Sequence, residues 1–514
     1  MSVVAGGGGE SGEGLASETP SQPELARSFP PDILGDIFVL AIPSGESHDV
    51  GVAASALRIS RVCGYWRRVC KTTARLWTHI SSTFDPNFVR ASIAMSNKAP
   101  LHVRINMHNF ALASLLLEES SRFQSLVLFA EGSQPTGNRE APMLKQLVVN
   151  FGVASEAGDG PLYGWSMPRL QKIDFTHAVI PKLNNCFTPS VSHLYLCHTT
   201  YGHVTDVFDV FFAVCDQLPR LKVLRLEHSI PPLRHDIHGY SRAKGPVSWP
   251  FLTSLELYDI PKSCNAFLCA IAVPQVSHVS LSLTYAPEYE VERLANTVKT
   301  LLFRPDGPNT VHSLSFDSRR IEIWNQPVRL EAEHPSSETP TLLDVLFTYH
   351  NFATMVMFAE RLSPSSAKAL RLDPAAFDPG NVYNYYRLPD ILPDIEHLVV
   401  GQMAWNCSPS ILEQPLPGPV PWILTYDGWS QDAFIQSTFT GLSTLTLIDF
   451  DRLLNRDALE TIPSVLESRV RIGRPIEHLV LRRGDLFVKS DTEKWLEAGY
   501  VKSVDWDGST TTRF

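Results

Sequence analysis

After about residue 100 the chain keeps returning to one pattern: apolar, two others, apolar, one other, apolar. It stands as FQSLVL at 123, LKQLVV at 144, LQKIDF at 170, VSHLYL at 191, LKVLRL at 221 and LTSLEL at 252. It continues as VSHVSL at 276, VHSLSF at 311, AKALRL at 367, IEHLVV at 395, LSTLTL at 442 and IEHLVL at 476, with LLDVLF at 342 a weaker copy. The last two apolar positions, two apart, lie on one face of a short strand, and the first enters from the preceding turn. Proline-containing lead-ins such as MPRLQKI, LPRLKVL and LPDIEHL place a turn before each strand. Residues 208–218 and 291–302 carry helical spacing between strands. Most intervals are about 21 to 35 residues. A unit of that size cannot cover its own apolar face, so the units are expected to stack into a curved array.

A different pattern fills residues 29–80. Pro30 and Pro31 suit the first turn of a helix, and Asp32 puts a carboxylate at its positive end. Ile33, Leu34, Ile37, Phe38 and Ala41 then share one side, and Pro43 ends the run. After the polar insert SGESHDVG, a second helix is expected to carry Ile59, Val62, Cys63, Trp66, Val69 and Cys70 as one apolar stripe. Arg58, Arg61, Arg67, Arg68 and Lys71 lie largely off it. Ala74, Leu76, Trp77 and Ile80 close the block. So small a unit has more apolar face than it can hide alone.

Taken in order, FPPDILGDIF, a spacer, ISRVCGYWRRV and ARLWTHI resemble the F-box in the divergent form of large fungal families. The matching positions are Ser60, Val62, Cys63 and Trp66, then Leu76 and Trp77; Phe29 stands where a leucine is usual before Pro30. The resemblance covers about a tenth of the chain. It implies docking on the Skp adaptor of a cullin-based ubiquitin ligase, carried by Phe29, Pro30, Ile33, Leu34, Ile37, Phe38, Val62 and Trp66. Trp66 fits the module's own core equally well. The later repeats resemble irregular leucine-rich repeats, with the usual asparagine position mostly absent, and such arrays often follow this type of F-box.

The expected organisation is therefore α/β: a disordered tail over 1–27, a small helical F-box over 28–82 and an irregular leucine-rich-repeat-like solenoid over 83–514. The tail is rich in Gly, Ser, Glu and Pro. Its glycine run is no phosphate loop, since neither a preceding strand nor a following Lys-Ser/Thr is present. A stretch at 422–434, in the longest interval between repeats, reads as an inserted loop.

Composition adds limits. The 514 residues are 44% hydrophobic, and the net charge of −10, spread without long acidic runs, argues against general nucleic-acid binding. No run approaches the roughly 20 apolar residues of a membrane span. Eight cysteines without paired spacing, and no secretory signal, suggest free thiols in the cytosol or nucleus.

No catalytic, cofactor or metal site is expected. His235 and His238 read as surface histidines in a polar loop. Cys186, His193, Cys197 and His198 are close in sequence but bring no second ligand pair. Asp505, Asp507 and Gly508 mimic the start of a calcium loop without its closing Glu, and Asp449 and Asp451 have no supporting context. For a receptor, the candidate target-binding residues flank the inward pairs: Tyr195, Arg225, Glu227, Glu256, Tyr258, His397 and Arg482. The expected function is substrate recognition for a Skp–cullin–F-box ligase, itself non-catalytic. The alternatives are a non-ligase F-box scaffold or a repeat-based protein-interaction module.

Overall fold

The computed structural model describes residues 29–507 except for a number of connecting segments, the longest being 401–438. The tail over 1–27, His235 and His238, the 422–434 stretch, Asp449, Asp451 and Gly508 lie outside the described residues.

The N-terminal part is helical: α1 (Pro31–Ala41), α2 (Asp49–Ser60) and α3 (Gly64–Thr72). Proline opens α1 and Asp32 sits in its first turn, as expected. The second expected helix is in fact two. Cys63 takes an extended conformation and caps α3, its Sγ accepting from the Trp66 N–H at 3.4 Å. Ile59 and Trp66 therefore sit on separate helices, and α2 begins inside the stretch read as insert. Leu34, Phe38, Ile42, Ala56, Val69, Cys70, Leu76 and Trp77 form a shared core. The Trp77 indole N–H donates to the Cys70 carbonyl at 2.7 Å. Helix α1 crosses so close to Thr73 that a Cβ on Gly35 would stand 2.7 Å from its hydroxyl oxygen.

The rest is a mixed α/β structure built on one large, mostly parallel sheet of 17 strands. They are β1 (His79–Ser81), β2 (Leu101–Asn106), β3 (Phe123–Ala130), β4 (Gln146–Phe151), β5 (Lys172–Thr176), β6 (His193–Cys197), β7 (Val223–Glu227), β8 (Ser254–Asp259) and β9 (His278–Leu283). Then come β10 (Ser313–Phe316), β11 (Arg320–Trp324), β12 (Leu343–Phe347), β13 (Ala369–Leu372), β14 (His397–Val400), β15 (Thr444–Ile448), β16 (His478–Arg482) and β17 (Ser503–Trp506). Every hexapeptide of the sequence pattern falls on one of these strands. Its first apolar residue is buried in the turn before the strand, as with Leu170, Val191 and Leu221.

From β1 to β9 each strand pairs in parallel with the next in sequence. The order then reverses. β9 pairs with β12, β12 with β11 and β11 with β10, the last two contacts antiparallel, before β10 passes to β13 in parallel. From β13 to β17 sequence order and parallel pairing resume. Arg320 on the reversed strand β11 bonds Asp344 on β12 through Nε at 2.7 Å and Nη2 at 2.8 Å.

One face of the sheet is the core. Inward residues such as Leu194, Leu196, Leu224 and Leu226 pack with the helices on that side. These include α5 (Phe110–Glu118), α6 (Val207–Cys215), α7 (Pro261–Cys269), α8 (Glu288–Leu302) and α9 (Phe352–Leu362). The opposite face is open over β5 to β8, where buried and half-buried residues alternate. Over β13 to β15 it is covered: Trp324, at the end of β11, and Leu330, from the segment after it, pack on Ala369, Val399 and Ile448. The buried Arg371 fastens that segment, its Nη1 donating to the Leu330 carbonyl at 2.8 Å and to that of Ala332.

The helical part and the sheet meet directly. Residues 79–81, at the end of the helical block, form the edge strand β1. Trp77 packs at 6.2 Å on Phe88 of α4 (Pro86–Met95), the rings tilted by 60°, and α4 lies beside that edge.

Candidate functional site

Two surfaces stand out. The first lies on α1. Ile33, Ile37 and Leu40 recur at four and three residues, the spacing of one helical face, and Phe29 lies just ahead of the first turn. Ile33 is 47% exposed, Leu40 84%, and Phe29 and Ile37 are also exposed, as are Pro30 and Val62. The Tyr65 hydroxyl donates to the Phe29 carbonyl at 2.6 Å and holds the start of α1 against α3. The eight residues singled out for docking thus divide. Phe29, Pro30, Ile33, Ile37 and Val62 face solvent, whereas Leu34 and Phe38 are buried in the helical core. Trp66 is half-buried against Phe38. An isolated helix hides such a stripe in a core or in a partner's groove, since each side chain gains about 2 kcal/mol on full burial.

The second surface is the open face of β5 to β8. The alternation of the strands turns Lys172, Asp174, Tyr195, Arg225, Glu227, Glu256 and Tyr258 away from the core. Register aligns Asp174, Tyr195, Arg225 and Glu256 in one row across four strands. Arg225 is the hub: Nη2 lies 3.2 Å from Glu227, Nη1 lies 3.7 Å from Glu256, and its guanidinium sits 4.9 Å over the Tyr258 ring. The Lys172 ammonium lies 5.4 Å over Tyr195. With Thr176 and Cys197 all of these but Tyr258 line a depression of about 460 Å³. Burial raises the Asp174 carboxyl above its usual range against the pull of Lys172 and Arg225. The result is a half-desolvated, mixed-charge surface with two aromatic rings, suited to a polypeptide segment bearing both polar and apolar side chains.

Five of the seven target-binding candidates are therefore brought together: Tyr195, Arg225, Glu227, Glu256 and Tyr258. His397 is on β14, within hydrogen-bond distance of the Thr446 hydroxyl, and Arg482 on β16 pairs with Asp505 of β17. Neither lies on the strands of the depression. Sequence reasoning missed Lys172 and Asp174, although the same alternation in LQKIDF marks both as outward.

Where β5, β6 and β7 end, each is followed by a histidine with left-handed backbone: His177 (φ 56°), His198 (φ 49°) and His228 (φ 46°). Their rings stack at 5.3 and 4.9 Å. Histidine tolerates this region better than most side chains. The His177, His198 and His228 amides bond the carbonyls of Cys197, Glu227 and Tyr258 in turn. Of the sequence cluster Cys186, His193, Cys197 and His198, Cys186 is fully buried and stands apart from this rim, its thiol pushed far up by burial.

Among the described residues no helix is long and apolar enough to cross a membrane. In comparisons with known proteins, no family model and no curated protein matches the chain.

Proposed function

We propose that the chain is a substrate receptor of a Skp–cullin–F-box ubiquitin ligase, with an F-box over the N-terminal helices and a leucine-rich-repeat-like solenoid behind it. The observation that carries this reading is the apolar stripe of Ile33, Ile37 and Leu40, exposed with Phe29 just ahead of it on a helix whose other side is packed. Adaptor docking buries that stripe. The near sequence-ordered succession of parallel strands supports a solenoid of stacked units. The depression on β5 to β8 then holds a target segment, and the receptor acts by raising the effective concentration of target lysines near the charged conjugating enzyme. No residue of the chain takes part in bond-making.

Co-expression with the Skp adaptor and a cullin tests the reading. A ternary complex supports a ligase receptor, a binary complex that excludes cullin supports a non-ligase scaffold, and no complex removes both. A second reading is favoured by β1, which makes the helical block part of the sheet: the block caps a repeat-based interaction protein. Capping and docking use different faces of the same helices, so adaptor binding decides between the readings.

A further inference from the structure

We propose that Cys197, His198 and Glu227 form a binding site for a borderline-soft divalent cation of the zinc class, at the rim of the open sheet face. One ligand atom from each of the three lies within 4.8 Å of the others. Thiolate, imidazole and carboxylate together are a zinc-type donor set; calcium and magnesium prefer oxygen alone. A tetrahedral ion with bonds of about 2.0 to 2.3 Å needs its ligand atoms somewhat closer, a contraction that side-chain rotation supplies.

The frame around the three residues is fixed. His198 is held in the left-handed region from both sides: its amide donates to the Glu227 carbonyl at 2.7 Å, and the next amide, of Thr199, donates to the Ser229 hydroxyl at 3.0 Å. The His177 and His228 rings flank its imidazole and restrict its rotation. Arg225 engages one carboxylate oxygen of Glu227 and leaves the other for the ion, the usual arrangement of an outer partner that orients a ligand.

Charge favours a dication. The depression beside the site carries Asp174, Glu227 and Glu256 against Lys172 and Arg225, and loss of the Cys197 proton would add one more negative charge. In the metal-free chain Cys197 and Glu227 stand side by side, paired across the ends of β6 and β7. On binding, the S–H bond breaks, its proton passes to solvent, and the sulfur and the carboxylate both turn to the ion, with no change of oxidation state. Three protein ligands leave a fourth position for water or a donor group of a bound molecule.

The test is calorimetric titration of the full chain with zinc chloride in a reducing, non-chelating buffer, paired with absorption spectra on adding cobalt(II). One saturable site is expected, with a thiolate-to-cobalt charge-transfer band. Cys197→Ser should abolish the band, and both Cys197→Ser and His198→Asn should weaken zinc binding at least tenfold. Asparagine keeps the preference for left-handed backbone, so the second variant tests the ligand and not the fold. Cys269→Ser, an exposed cysteine outside the cluster, should change nothing. Circular dichroism establishes that each variant is folded. No saturable binding to the unaltered chain, affinity retained in both folded variants, or saturation without the sulfur band overturns the proposal.

Discussion

The Phe38 and Trp66 rings lie 4.8 Å apart, tilted by 55°, and join α1 to α3 across the helical core. The sequence offers Trp66 equally as a docking residue and as core, and this contact sets its half-buried ring against the helical core. Its indole N–H is buried without a hydrogen-bond partner among the described residues. Trp66→Ala is expected to destabilise the helical block by about 2 kcal/mol or more. Trp66→Phe keeps the ring contact and removes the unpaired donor, so it should cost little. Chemical denaturation followed by circular dichroism compares the two, and equal losses would contradict this assignment.

The reversed strand supplies a second prediction. Glu322 and Asp344 stand opposite each other in the β11–β12 register, and Arg320 lies between them, bidentate on Asp344 and 3.5 Å from Glu322. Arg320→Ala leaves two neighbouring carboxylates without their shared cation. The arginine is 41% exposed, so screening limits the expected loss to about 1 kcal/mol. Raising the salt concentration should narrow the difference between variant and parent in urea melts.

His79 on β1 stacks 4.5 Å from His102 on β2, with the rings 5° from parallel. Burial, and then the neighbouring His102, lower its pKa from 6.5 to about 4. The unfolded chain therefore binds a proton over that interval that the folded chain does not. Stability is full above about pH 6.5 and falls as pH drops towards 4, by up to about 3 kcal/mol. His79→Asn should flatten this part of the stability–pH curve, read from thermal melts between those limits. An unchanged slope would contradict the assignment.

Because β1 closes the edge of the sheet, removal of residues 1–82 uncovers the β2 backbone and one end of the core. The truncated chain is expected to melt well below the intact one and to aggregate through its open edge. A truncation with unchanged thermal unfolding would show that the helical block contributes nothing to the sheet.

Much of the fold is legible in the sequence, because each repeat announces its own strand through two inward residues and a buried turn residue. Leu170, Ile173 and Phe175 do so for β5, and Leu221, Leu224 and Leu226 for β7. The reversal at β10 to β12 is not legible. VHSLSF and LLDVLF carry the same local pattern as their neighbours, and their placement is decided by the hairpin through Arg320–Trp324. The break at residues 61–63 escapes for another reason: Cys63 looks like one more apolar stripe residue until its extended backbone makes it a cap. At the open face, alternation identifies the outward residues one strand at a time. It cannot pair Cys197 with Glu227, thirty residues later, because that proximity comes from the β6–β7 register. Nor does it reveal that Trp324 and Leu330 close the face near His397.

The central claim is adaptor docking through the exposed side of α1, and titration of the purified Skp adaptor into the full chain tests it most directly. The comparison variant is Ile33→Asp with Ile37→Asp, since both side chains are exposed and their loss leaves the core of Leu34, Phe38 and Val69 intact. The account predicts saturable binding to the parent chain and at least a hundredfold weaker binding to the variant, with equal thermal stability. No binding to the parent chain, or equal binding to both, would contradict it.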